Sequence, residues 1–205
     1  MQTSRNQYPQ PMGRIMLQAL EEILGNDGAR AILNLVDGFD VALCDARHEV
    51  GISFESISQL QDALEREYGL HGGRGIALRV GRACFQQGLR EFGPRHGLTD
   101  LTFRLLPAQS KFQAGAAALA EIFNRYTDQR VRLEDQGKTL LWHIERCPLC
   151  WERQAEAPSC QMAVGLLQEA LYWLSGGKFF RVEEISCQAC GDATCTIAID
   201  KTPMG

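Results

Sequence analysis

The sequence has no apolar run long enough to cross a membrane. Arg, Glu or Gln breaks every hydrophobic stretch of its 205 residues within about ten positions, well short of the roughly 20 residues that a helical span needs. Basic charge is not in excess either. Its 21 Lys and Arg are outnumbered by 25 Asp and Glu, and the basic residues are scattered, which argues against an extended nucleic-acid surface, where phosphate neutralisation needs grouped cations. The four histidines, His48, His71, His96 and His143, stand far apart without an H-E-x-x-H spacing, which excludes a histidine-rich catalytic metal centre. No Gly-x-Ser-x-Gly elbow and no dinucleotide fingerprint is present, so no catalytic machinery is evident. The opening "MQTSRNQYPQPMGR" lacks the apolar core and small-residue cleavage site of a secretory signal, and predicts a cytoplasmic address with a flexible polar arm over residues 1–12.

What is present is ordinary in bulk. Hydrophobic residues make up 45% and charged residues 22%, the balance of a globular domain, and the length suits one core, predicting a single domain over residues 13–205. Ile15, Leu17, Leu20, Ile23 and Leu24 recur at helical spacing before a stop at Gly25-Asn26, and a second helical run follows from Ala29 to Val36. Ser53 and Ser56 head a further helix that runs through Tyr68 and stops at Gly69. Beyond it, "GRGIALRVGRACFQQGLREFG" continues as a helix with Ile76, Val80, Cys84 and Leu89 on one side. The glycines of this stretch read as a helix start and close helix packing, since no strand precedes them and no Lys-Ser/Thr follows.

After "GPRHG" comes one more amphipathic helix, "SKFQAGAAALAEIFNRYTDQ", and then the period changes. Val131 and Leu133 alternate, the chain turns at Asp135-Gln136-Gly137, and it returns through Leu141, His143 and Ile144 as a β-hairpin. A helix opens after Pro158-Ser159 and closes at Gly176-Gly177, and "KFFRVEEISC" and "TCTIAID" form a final pair of strands. The order predicts an α+β fold with a helical N-terminal half packed on an antiparallel sheet. Trp142, Trp151 and Trp173 suit either the core or the wall of a cavity for a flat ligand, and His143, next to Trp142, either a satisfied position or a pocket.

Cysteine is the unusual element. Of eight, Cys44 and Cys84 stand alone, while Cys147, Cys150, Cys160, Cys187, Cys190 and Cys195 all fall in the last third. In a cytoplasmic chain that clustering points to metal ligands or reactive thiols rather than to a disulfide framework. Two tetrahedral sets compete. The pairs "CPLC" (Cys147, Cys150) and "CQAC" (Cys187, Cys190) have the two-residue gaps that let both sulfurs curl around one zinc ion, although the interval between them holds a whole helix and a strand, longer than the roughly 15 to 20 residues of zinc ribbons. Cys160, Glu184, Cys187 and Cys195 form the second set, drawn from the start of a helix and both arms of the last hairpin, and would tie three elements together. Glu184 and Cys187 are three apart and would face opposite sides of an unbroken strand, so the chain must bend near Ile185-Ser186. By residue type alone, Glu183 would serve as well as Glu184.

The pattern Cys160, Gly165, Glu184, Cys187, Ala189, Gly191, Asp192 and Cys195 resembles the signature of the 4-vinyl reductase, or hydrocarbon-binding, domain family, most sharply within residues 140–200. The resemblance implies a fold similar to the TRAPP-subunit and nitric-oxide-sensor ligand-binding superfamily, with an apolar pocket and a structural zinc on Cys160, Glu184, Cys187 and Cys195. It implies a cytoplasmic, homodimeric binding or sensory domain for a small apolar or aromatic ligand, passing its signal to a separate partner chain. An alternative it implies is an enzyme or accessory protein of bacteriochlorophyll vinyl reduction, acting with a reductase, for which no nicotinamide or flavin site is visible. Cys147, Cys150 and Cys190 are not required by the pattern. They stand open as a redox pair, ligands of a second metal, part of an iron–sulfur cluster, or small buried hydrophobes.

Overall fold

The computed structural model of the protein describes residues 6–37 and 51–204. Cys44, His48 and residues 1–5 of the expected arm lie outside them. Gln7–Tyr8 (β1) pairs antiparallel with Ile52–Ser53 (β2), and helix α1 (Gln10–Leu33) starts directly after β1. Tyr8 and Met12 are apolar and buried, so residues 7–12 of the arm are drawn into the core.

The stop signals read in the sequence are kinks within continuous helical paths. In α1 the break is Gly25 at φ 73°, and in α2 (Phe54–Phe92) it is Gly69 at φ 74°, a left-handed backbone that glycine adopts without strain. Ser53 caps α2 by accepting the Ser56 N–H at 3.1 Å. A one-turn helix α3 (Leu101–Arg104) leads into α4 (Ala108–Tyr126). Then come β3 (Arg130–Asp135), β4 (Thr139–Arg146), helix α5 (Gln161–Ser175), β5 (Phe180–Ser186) and β6 (Cys195–Pro203). These four strands form one antiparallel sheet in the order β3-β4-β6-β5. The fold is therefore α+β, with helices over one face of an antiparallel sheet.

Strand alternation sets which side chains meet the helices. Val131 pairs with Ile144, Trp142 with Ile197, Leu140 with Ile199 and Val182 with Ile199, and all are buried. His143 and Thr196 sit opposite each other on the other face, 3.1 Å apart through Nδ1 and Oγ1, with His143 Nε2 3.3 Å from Glu134. His143 is thus an outer-face residue with a polar neighbour at each ring nitrogen.

Helix α5 lies against α2 at near backbone contact. A Cβ added to Gly81 would stand 2.0 Å from the Met162 carbonyl oxygen, and one added to Gly165 would stand 1.9 Å from that of Leu78. The two glycines therefore admit each other's helix, and Gly165 of the cysteine motif serves this crossing rather than the cysteines. Nearby, Arg153 reaches Glu65 at 3.3 Å and Arg74 reaches the same carboxylate at 3.6 Å, so the loop after β4 is anchored to both sides of the α2 kink. Trp151 of that loop packs edge-on against Phe54 with ring centroids 5.4 Å apart.

Candidate metal centre and adjoining cavity

Five thiols and one carboxyl converge at the end of the sheet. Glu184 holds an inner-face position, two residues beyond buried Val182, where strand alternation calls for an apolar side chain. Glu183 points outward, exposed, and pairs with Arg181 at 2.7 Å. Alternation through Phe180, Val182 and Glu184 was the signal that separates the two glutamates. After Glu184 the pairing register breaks: Glu184 stands opposite Ile197 and Ser186 opposite Thr196. This bulge is the bend expected at Ile185-Ser186, and it turns buried Cys187 to the same side as Glu184.

The turn between β5 and β6 explains the rest of the motif. Asp192 accepts the Cys187 N–H at 2.8 Å, Gly191 takes the left-handed conformation at φ 94°, and Ala189 is buried with its carbonyl accepting the Ala155 N–H at 2.9 Å. Gln188 donates its N–H to Cys195 Sγ at 3.3 Å, and its side-chain amide donates to the Glu145 carbonyl and accepts the Cys147 N–H. Cys160 precedes the first turn of α5 and gives its N–H to Glu184 Oε2 at 2.7 Å. The carboxylate therefore sits at a helix N-terminus, where the helix dipole favours negative charge.

The sulfurs are close. Cys160 Sγ lies 3.8 Å from those of Cys187 and Cys195, Cys187 and Cys195 are 3.9 Å apart, Cys147 is 3.6 Å from Cys160, and Cys150 is 3.3 Å from Cys195. Two groups of four have donor atoms all within 4.8 Å of one another: Cys160, Glu184, Cys187, Cys195, and Cys147, Cys150, Cys160, Cys195. The paired set Cys147, Cys150, Cys187, Cys190 is not formed. Cys190 is exposed at the end of a 3-10 turn that buries Ala189 instead, so only three of its four sulfurs reach the cluster. Every cysteine among the described residues is a free thiol.

Without a cation this cluster holds its protons. Burial first, then the neighbouring Cys187 sulfur, pushes the Glu184 carboxyl up to about 8, and the sulfurs around Cys160, Cys147 foremost, hold its thiol well above the ordinary range. Glu184 Oε1 is buried without a hydrogen-bond partner, aimed among thiols. A buried, unpartnered carboxylate oxygen among sulfur donors is costly unless it meets a cation. This donor set of sulfurs and one oxygen suits a divalent metal such as zinc, which would displace the protons on binding.

Beside the cluster lies an apolar cavity of about 100 Å³. Its walls come from α1, α2, α4, α5 and the inner sheet face, with Phe85, Phe92, Phe123 and Trp142 as its aromatic surfaces. Leu149 and Met162 belong to this wall and sit close to Cys150 and Cys160 in the chain, so the two sites share a partition. Of the three tryptophans only Trp142 lines it; Trp173 stacks on Phe103 at 6.0 Å. Polar groups are few: the Tyr8 hydroxyl donates to Gln129 Oε1, and Cys84 is a neutral thiol pushed up to about 12 by burial and then by Glu22. Gly88, read in the sequence as helix packing, lines this cavity with no neighbour where its Cβ would be, so its missing side chain leaves room. No periodicity marks such a residue, because an apolar wall and an apolar core use the same residue types.

The comparisons with known proteins agree with this geometry. An H-NOX protein from K. algicida, in its Fe(II) unliganded form, superposes at TM-score 0.56 with 10% identity, covering 95% of this chain and 96% of that one. The phenol-responsive sensory domain of the transcription activator PoxR, solved with phenol, superposes at 0.54 with 19% identity over 83% and 89%. A trafficking protein particle complex subunit 3 from Naegleria fowleri aligns at 0.46 with 12% identity over 71% and 82%, too loosely to carry an argument. No curated protein matches the sequence. Among the described residues, no helix is long and apolar enough to cross a membrane. Residues 142–201, which hold every candidate ligand, match the vinyl-4-reductase domain, and it is to this 4-vinyl reductase domain family that the cysteine motif assigns the chain.

Proposed function

We propose that this chain is a sensory or carrier domain that binds one small aromatic molecule in the cavity, with zinc on Cys160, Glu184, Cys187 and Cys195 as a structural tie. The observation that carries the reading is the cavity itself: about 100 Å³, walled by aromatic and aliphatic side chains, with one tyrosine–glutamine pair as its polar handle. Apolar cavities of about 150 Å³ take up benzene, so this volume suits a single ring. A tetrapyrrole has four rings, and the vinyl-reduction alternative would require the walls to separate. Burial holds the Tyr8 hydroxyl well above its usual pKa, which keeps it a donor to Gln129 and leaves its oxygen free to accept a ligand hydroxyl. The likeness to a sensory domain solved with phenol supports the same ligand class. Zinc would hold the end of α5 and the last hairpin where their side chains wall the cavity, and this chain's own residues would select the ligand by shape and one hydrogen bond.

Calorimetric titration of the zinc-loaded protein with phenol tests this. One-to-one saturable binding is expected, weakened about tenfold in Tyr8→Phe through loss of one hydrogen bond, with zinc content unchanged. Absence of saturable binding by phenol and other single-ring compounds, or preferential uptake of a porphyrin, would overturn it.

A further inference from the structure

We infer that the cysteine cluster is a two-metal site, in which Cys160 and Cys195 bridge two zinc ions, Glu184 and Cys187 complete one, and Cys147 and Cys150 complete the other. This rests on the zinc reading above and extends it to thiols that the family's motif leaves unused.

The two four-donor groups have a specific overlap. They share Cys160 and Cys195 and nothing else, so six donors divide into two shared and two terminal on each side. Two tetrahedra joined along one edge require that same division. Zinc–sulfur bonds of about 2.3 Å give a tetrahedral sulfur–sulfur edge of about 3.8 Å. The shared edge, Cys160 to Cys195, is 3.8 Å, and the edges leaving it are 3.8 Å and 3.9 Å to Cys187, 3.6 Å from Cys160 to Cys147 and 3.3 Å from Cys195 to Cys150. The side chains thus stand near the spacing of both polyhedra.

Charge leads to the same count. Five thiolates and a carboxylate carry six negative charges in a region where all five cysteines and Glu184 are buried. One divalent ion offsets two of them and leaves Cys147 and Cys150 as surplus thiols against a metal-bound group. Two ions offset four and give every sulfur a partner. The second half is also built as firmly as the first. Cys147 is held by its N–H to Gln188 Oε1, Cys150 sits in the loop clamped by Arg153 on Glu65 and Trp151 on Phe54, and both cysteines are at most 3% exposed. Cys190 is exposed and takes no part.

The test is metal counting on the full chain purified without chelator, by native mass spectrometry and elemental analysis, on the wild type and on the Cys147→Ser/Cys150→Ser double variant. Two zinc ions per chain, falling to one in the variant, is the expected result. One zinc in both proteins would overturn the two-metal site and leave the single zinc of the proposed function standing. One in the wild type and none in the variant, or iron with acid-labile sulfide, would overturn both. The wild type alone suffices if the variant does not fold. Titration of the apoprotein with Co(II) should raise thiolate-to-cobalt absorption to saturation at two equivalents, and mass-mapped alkylation should find Cys147 and Cys150 protected until chelator is added. Saturation at one equivalent, or ready alkylation of both with metal retained, would overturn the inference.

Discussion

The cysteine cluster and the apolar cavity share a wall, yet they are built on opposite principles. At the cluster, six titratable donors from a loop, a helix start, two strands and a turn meet within a few ångströms, and they are held by specific backbone contacts such as Asp192 on the Cys187 N–H or Glu184 on that of Cys160. At the cavity, side chains from four helices and the sheet meet around space, with a single polar pair among them. A metal site tolerates few substitutions because every donor supplies a bond. A cavity tolerates many, because its selectivity is the sum of small contacts. The difference points to a division of labour, with the cluster fixing α5 and the last hairpin and the cavity choosing the ligand.

Substitutions aimed at one region should separate the two. The largest effect is expected from Cys160→Ser, which removes a donor common to both four-donor groups. Loss of bound metal should lower the melting midpoint by roughly 10 °C or more and weaken ligand binding as α5 loosens, both readable by calorimetry. Retention of metal and melting point would break the claim that the cluster fastens the cavity wall. Next comes Gly165→Ala, which drives a methyl group onto the Leu78 carbonyl with no flexible atom to yield. A cost of about 2 kcal/mol, seen as a drop of roughly 5 °C in thermal unfolding with metal content intact, is expected. The smallest comes from Glu183→Gln, whose exposed pairing with Arg181 contributes under about 0.5 kcal/mol. Glu184→Gln, one residue further, should cost metal affinity at least tenfold, and equal effects of the two on zinc retention would contradict the inward placement of Glu184 as a ligand.

Legibility followed the same line. The helix caps and stops were readable because Ser53, Gly25, Gly69 and Gly176 act through their own backbone or side chain on the nearest turn, and the strands because alternation persists over each of them. The convergence of Cys160, Glu184, Cys187 and Cys195 was readable because thiols in a spaced motif have few other uses. Cys147 and Cys150 were legible as a pair, but the sulfurs they meet belong to other elements: Cys147 meets Cys160 and Cys150 meets Cys195. The fate of Cys190 was not legible, because a two-residue gap permits both an inward curl and the 3-10 turn that exposes it. Tyr8 was read as part of a polar arm, and its place in the cavity depends on β1 pairing with β2 more than forty residues away.

By itself the sequence determined the element types, the antiparallel C-terminal unit and the stock of metal donors, since periodicity, turn chemistry and thiol chemistry act over a few residues. The tertiary structure alone decided that two four-donor sets share Cys160 and Cys195, that Gly81 and Gly165 admit each other's helix, and that Gly88, Tyr8 and Trp142 border one empty volume. Those outcomes depend on distances between segments far apart in the chain, and a distance across the core is set by how all the packed faces fit at once.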